Sequence, residues 1–102
     1  MDFNFKFLPL AEENIEEATD YYARISLKVL KNFNNQFDAS INKIINNPYF
    51  QKRFKQVRAL PVKKFPYIIF YEVDHKEKII YTFRFLHSSE SGKISLKSNN
   101  KK

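Results

Sequence analysis

With 102 residues, of which 43% are hydrophobic and 17% aromatic, the chain can build one domain around one core, which excludes intrinsic disorder. The absence of cysteine and the single glycine exclude disulfides, thiolate chemistry and glycine-rich phosphate loops, and no apolar run approaches the ~20 residues of a membrane span. The net charge of +7 favours an acidic partner, either nucleic acid or an acidic protein segment, although lysines that only solubilise the domain would give the same charge.

The first half of the chain predicts a strand followed by a helical hairpin. Phenylalanines occupy every second position from Phe3 to Phe7, the period of a strand with one buried face. After Pro9, apolar residues recur at steps of three and four, which predicts a first helix of roughly 15 residues and then a second helix. Ser26 is the expected N-cap of the second helix, which should end before Pro48.

The second half predicts three strands, at 53–60, 67–73 and 79–86. The middle one is β-branched or aromatic almost throughout, as expected of a central strand covered on both faces. The predicted fold is therefore α+β, in the order strand, helix, helix, strand, strand, strand, with the helical hairpin on one face of a small, mainly antiparallel sheet. We expect a single domain over residues 1–91 and a polar, basic tail over residues 92–102.

Charge is distributed unevenly along the chain. Residues 1–24 carry six acidic side chains and two basic ones, whereas residues 51–102 carry thirteen lysines and arginines against four acids. The C-terminal half should therefore supply most of the field that attracts an acidic partner.

Four short motifs in the second half carry a family resemblance. They are V-R-A-L at Val57–Leu60, F-P-Y at Phe65–Tyr67, Y-E-V at Tyr71–Val73 and F-R-F-L-H at Phe83–His87. In this order and spacing, and behind a helical hairpin, they resemble the RelE/ParE superfamily of toxins from type II toxin–antitoxin systems. The resemblance spans almost the whole predicted domain.

The resemblance implies a cytoplasmic toxin whose partner is a cognate antitoxin. The toxin would form either a hetero-oligomer with this antitoxin or a homodimer. It implies no cofactor and no metal. ParE-like members resemble gyrase poisons that are not enzymes, whereas RelE-like members resemble endoribonucleases that cut mRNA on the ribosome. An inactive member that only binds antitoxin is a third alternative.

Two positions favour the ParE-like branch. The nuclease pattern has an arginine where this chain has Ile68, and often a further arginine in the loop that is Ser88–Glu90 here. RNA cleavage requires cations that stabilise the phosphorane and a group that moves protons. The missing arginines therefore weaken the prediction of a nuclease.

The candidate site residues come from the basic half. The residues expected to contact the target are Arg58, Lys63, Lys64 and Arg84. If the protein is a nuclease instead, the weak candidates for catalysis are His87, Arg58, Arg84 and Glu90. Each of these four has a structural alternative: an ion pair such as Arg58 with Glu72, an ion pair of Arg84, a hydrogen-bonded His87 at a strand end, and an ordinary polar turn that contains Glu90.

Overall fold

A computed structural model describes residues 3–50 and 52–90 of the chain. Its elements, in chain order, are β1 (Asn4–Phe7), α1 (Pro9–Ile25), α2 (Leu27–Asn46), β2 (Lys52–Phe54), β3 (Val57–Pro61), β4 (Tyr67–Asp74), β5 (Ile79–His87) and a single 3₁₀ turn (Ser88–Glu90). The predicted tail, residues 92–102, lies outside the described residues.

The strands form one mixed sheet in the order β1-β5-β4-β3-β2. The first strand pairs in parallel with β5, and every other neighbouring pair is antiparallel. Both helices pack on one face of this sheet. The predicted α+β architecture with a helical hairpin on a mainly antiparallel sheet is confirmed.

One predicted strand is wrong in its bounds. The segment 53–60 forms two strands, β2 and β3, because the backbone turns at Lys55 and Gln56. Lys55 adopts the left-handed conformation, with φ of 52°, which glycine, asparagine or aspartate would normally mark in a sequence. Lysine gives no such signal, and the described sheet therefore has five strands where four were expected.

A single residue joins the two helices. The backbone N–H of Ser26 donates to Tyr22 O at 3.2 Å and so ends α1, while Ser26 Oγ accepts from Val29 N–H at 3.1 Å and caps α2. Pro9 starts α1 at the position where its fixed φ and missing N–H cost nothing. The predicted N-cap is confirmed, and α2 ends ahead of Pro48 as expected.

The main core lies between the helices and the sheet and is rich in aromatic rings. Phe33 of α2 stacks on Tyr22 of α1 at 4.9 Å between ring centroids and meets the edge of Phe85 on β5 at 6.1 Å. Tyr67 on β4 stacks on Phe85 at 4.9 Å. These rings fix the hairpin against the middle of the sheet.

A second, smaller cluster lies on the opposite face of the sheet. Its buried members are Val57, Ile68, Phe70 and Leu86. Phe70 and its neighbour Tyr71 belong to different clusters, and both side chains are fully buried. Successive side chains of a strand point to opposite faces, so β4 is covered on both sides, as its sequence predicted.

Candidate functional site

The described surface contains a groove between α2 and the loop that joins β3 to β4. It encloses a cavity of about 240 Å³ and is lined by Gln36, Ala39, Ser40, Lys43, Pro61, Lys63 and Lys64. Three of these residues are lysines and none is acidic. We call this feature the lysine groove.

The loop that carries Lys63 and Lys64 is held at several points. Val62 N–H donates to Tyr67 O at 2.9 Å and closes the loop at its base, and Ser88 N–H donates to Pro66 O at 2.8 Å. The ring of Phe65 inserts among the core aromatics, 5.2 Å from Tyr22 and 5.3 Å from Phe33. The F-P-Y motif therefore anchors the loop, which presents its two lysines from a fixed backbone.

Lys64 itself has a strained backbone, with φ of 70°. A residue with a Cβ pays on the order of 1 kcal/mol for this conformation, which glycine adopts freely. Its side chain is exposed and lines the groove. The anchored loop maintains a conformation that lysine alone disfavours.

The other wall of the groove is one face of α2. Gln36, Ser40 and Lys43 are four and three residues apart, which places them on the same side of the helix. Ser40 donates its hydroxyl hydrogen to Gln36 O at 2.9 Å, so the hydroxyl satisfies its own helix. The ammonium groups and the Gln36 amide remain as the groups able to bind a carboxylate or a phosphate.

Arg58 was predicted as a target contact and as a weak catalytic candidate, and the structure gives it local partners. It donates from Nη1 to Phe50 O at 2.7 Å, and its guanidinium carbon lies 5.3 Å from the ring centroid of Tyr49. The partner is therefore the segment after α2 rather than the carboxylate of Glu72. Arg58 holds that segment over β3.

Tyr71 holds the same segment from below. Its hydroxyl donates to Pro48 O at 3.0 Å inside the protein. Burial raises the pKa of Tyr71 to about 12, while the backbone of Phe50 and the charge of Arg58 act in the opposite direction. The phenol therefore stays a hydrogen-bond donor throughout the physiological range.

Arg84 lies at the edge of the sheet. Its Nε donates to Asn14 Oδ1 of α1 at 3.1 Å, and the same oxygen accepts the backbone N–H of Phe85 at 3.1 Å. Arg84 pairs across the sheet with Phe70, whereas Arg58 pairs with Tyr71 and reaches the segment after α2. The two arginines thus have separate partners on separate elements.

His87 ends β5 and is hydrogen-bonded within its own turn. Ser89 N–H donates to His87 Nδ1 at 3.2 Å, and Ser89 Oγ lies 2.9 Å from the same nitrogen. An accepted N–H bond assigns the proton of the neutral ring to Nε2. The side chain of Glu90 lies outside what the structure describes, so its role as a catalytic candidate stays a prediction.

The position that distinguishes the two predicted branches is apolar. Ile68 is buried in the small cluster with Phe70 and Leu86, on the face of the sheet opposite the helices.

Among the described residues, no three histidine, cysteine or carboxylate side chains come together as a metal site.

The sequence does not indicate the helix wall of the lysine groove. Lys63 and Lys64 were predicted from their loop, but Gln36 and Lys43 fall in the polar positions of an amphipathic helix, which usually face solvent. The signal that would have found them is the distance between α2 and the loop, which depends on tertiary packing.

Comparison with known proteins gives a family and a structural likeness. The family model described as "ParE toxin of type II toxin-antitoxin system, parDE" matches residues 5–92. A solved structure of the chromosomal ParDE toxin–antitoxin system from P. aeruginosa is similar, with 17% identity and a TM-score of 0.66 over 83% of this chain and 95% of that one. None of the curated proteins matches this sequence. Neither described helix has the length and apolar character needed to cross a membrane.

Proposed function

Because this chain belongs to the ParE toxin family of type II toxin–antitoxin systems, we propose that it arrests growth by binding a protein target, DNA gyrase, in the cytosol. The proposal includes a cognate antitoxin that neutralises it in a hetero-oligomer. The likeness to a chain from a ParDE system supports that partner.

The apolar surroundings of Ile68 are the observation that favours a binding toxin over a nuclease. A nuclease of the resembled type would place a cation at this position, and Ile68 instead belongs to a buried apolar cluster. Losing one preorganised electrostatic group typically costs on the order of 10²–10³ in rate. A charge introduced there would also be desolvated, so the position is unsuited to the missing arginine.

The lysine groove is the proposed contact with the target. Lys63 and Lys64 are exposed on an anchored loop, and Lys43 faces them across the cavity. Arg58 and Arg84 have local partners, and we assign them to positioning the segment after α2 and the edge of β5. An acidic patch on gyrase is the chemistry that three lysines would bind.

The first test measures supercoiling by purified gyrase in the presence of the purified protein. We expect inhibition, and we expect the Lys63→Glu, Lys64→Glu double variant to inhibit at least tenfold more weakly. The matched control is the Lys28→Glu, Lys31→Glu double variant, which makes the same charge change at exposed positions of α2 outside the groove. Equal loss in both variants would contradict the groove as the contact.

The second test adds the protein to translating ribosomes and maps the message by primer extension. We expect intact mRNA. Cleavage that disappears in the His87→Ala variant would replace gyrase binding by the RelE-type reaction, because His87 would then be needed for proton transfer.

A further inference from the structure

A pair of exposed rings lies at the end of the sheet where β4 turns into β5. The rings of Tyr49 and His75 are almost parallel, with 5° between their planes and 5.5 Å between their centroids. Tyr49 is 48% exposed, and His75 is exposed as well. We call the pair the aromatic platform.

The platform is fixed by contacts from three separate elements. Tyr49 Oη lies 3.2 Å from His75 Nδ1, which ties the segment after α2 to the β4–β5 turn. The Arg58 guanidinium lies over the Tyr49 ring at 5.3 Å, and Phe3 meets that ring edge-on at 6.4 Å. The exposed rings are therefore held in place before any ligand binds.

Lysines lie in the two turns at the same end of the sheet as the platform. Lys55 is in the β2–β3 turn, and Lys76 and Lys78 are in the β4–β5 turn. Lys78 extends over the ring of Phe3 at 5.4 Å. The β4–β5 turn also contains two acids: Asp74 accepts the backbone N–H groups of Lys76 and Glu77 through Oδ1, and the side chain of Glu77 is exposed.

We propose that the aromatic platform binds single-stranded nucleic acid: a base stacks on the Tyr49–His75 pair, and the lysines of the two turns at this end of the sheet hold the flanking phosphates. This binding lies at the opposite end of β4 from the loop of the lysine groove and does not rest on the gyrase contact.

The chemistry of the platform selects this ligand over other polyanions. Exposed aromatic rings give stacking surfaces that every base fits, and nearby arginine and lysine track the backbone. An acidic peptide would use the cations but leave the stacked rings without a role. In duplex DNA the faces of the bases are already stacked on one another, so only the phosphates would be available.

The experiment measures fluorescence anisotropy of labelled oligo(dT) and oligo(U) of about 12 nucleotides with the full-length protein. We expect Tyr49→Ala and His75→Ala each to weaken binding on the order of tenfold or more, since one base stacked on a ring gives roughly 1–3 kcal/mol. Tyr49→Phe keeps the ring and should bind within about twofold of the parent, because stacking needs the ring and not the hydroxyl.

The controls separate stacking from charge. Tyr21→Ala removes another exposed tyrosine, on α1, and should leave the affinity unchanged. Lys78→Ala should reduce the slope of log K against log salt by about 0.7, the value for one phosphate contact on a single strand. Circular dichroism and thermal unfolding verify that each variant is folded.

Three results would overturn the proposal. One is unchanged affinity of the folded Tyr49→Ala variant, and another is binding of duplex DNA as tight as binding of the single strand. The third is competition by inorganic polyphosphate as strong as that of the oligonucleotide at equal phosphate. A preference for DNA over RNA, or the reverse, identifies the source of the strand and leaves the stacking mechanism intact.

Discussion

Tyr71 is completely buried and donates a hydrogen bond to the carbonyl oxygen of Pro48. Replacing it by phenylalanine keeps the ring and removes the bond, leaving a buried carbonyl without its donor. We expect Tyr71→Phe to lower the free energy of unfolding by about 1 kcal/mol in urea denaturation. Tyr21→Phe, at a tyrosine that is 57% exposed, should change it by less than about 0.5 kcal/mol.

The same residue predicts a pH effect. The pKa of Tyr71 is raised from 10 to about 12 in the folded protein. A raised folded-state pKa stabilises the fold below the unfolded value, and that contribution is lost as the pH rises through the folded value. The stability difference between the parent and Tyr71→Phe should therefore be constant below pH 10 and fall between pH 10 and 12, where it changes sign because two pKa units correspond to about 3 kcal/mol. A difference that stayed constant across this window would contradict the assigned pKa.

A substitution of Thr82 should raise the free energy of unfolding, whereas Tyr71→Phe lowers it. The side chain of Thr82 is fully buried on β5, and within the described part of the chain its hydroxyl is the one buried side-chain polar atom without a hydrogen-bond partner. Valine has nearly the same shape and suits a strand. We expect Thr82→Val to raise the free energy of unfolding by about 1 kcal/mol, measured by urea denaturation. Destabilisation by this substitution would show that the hydroxyl is bonded.

At the scale of the elements, α1 supplies a hydrogen-bond acceptor to β5 beyond the point where β1 ends. The parallel partner β1 ends at Phe7, and Asn14 Oδ1 then takes the N–H of Phe85 that a longer strand would have bonded. The helix therefore closes the open edge of β5 and also fixes Arg84.

Substitution of Asn14 tests this closure. Asn14→Ala leaves the edge N–H and the guanidinium without their acceptor and should cost about 1–3 kcal/mol of unfolding free energy. Asn14→Asp keeps an acceptor oxygen of the same reach, so most of the stability should return. Amide exchange at Phe85 should rise in the alanine variant only. An aspartate variant as unstable as the alanine one would show that packing, and not the acceptor, is what Asn14 supplies.

The sequence predicts a structural feature when the residues that cause it lie close together in the chain. Ser26 and Pro9 act through their own backbone and side chain, and the two-sided burial of β4 follows from its composition, so each could be predicted. The turn at Lys55 could not, because a lysine with positive φ is held by pairing between β2 and β3 that no single residue announces.

Some residues of the candidate site could likewise be predicted from the sequence, and others could not. Lys63 and Lys64 sit in a loop between Pro61 and the F-P-Y motif, and a sequence shows such a loop directly. Lys43 joins them only because α2 packs alongside β3. Arg58 and Arg84 each donate to a local acceptor, Phe50 O and Asn14 Oδ1 respectively, and both acceptors lie on elements that the sequence does not show to be neighbours.

At the scale of the whole molecule, charge is segregated between the first helix and the rest. Along α1 the exposed acids are Glu12, Glu13, Glu16, Glu17 and Asp20. The lysine groove lies between α2 and the β3–β4 loop, and the cations around the aromatic platform lie in turns at the other end of β4. The protein therefore has a dipolar field superimposed on its net charge of +7. Such a field orients the molecule as it approaches an acidic partner.

Orientation predicts a specific kinetic result for binding to gyrase. The Lys63→Glu, Lys64→Glu variant and its control at Lys28 and Lys31 both lower the net charge by four, but only the first reverses the field at the groove. In surface plasmon resonance at low salt, we expect the groove variant to associate about tenfold more slowly and the control to change far less. The difference in association rate between the two variants should narrow as the salt concentration rises, because the Debye length falls from roughly 30 Å at 0.01 M to about 8 Å at 0.15 M. Equal slowing of both variants would show that net charge, and not the position of the lysines, sets the association rate.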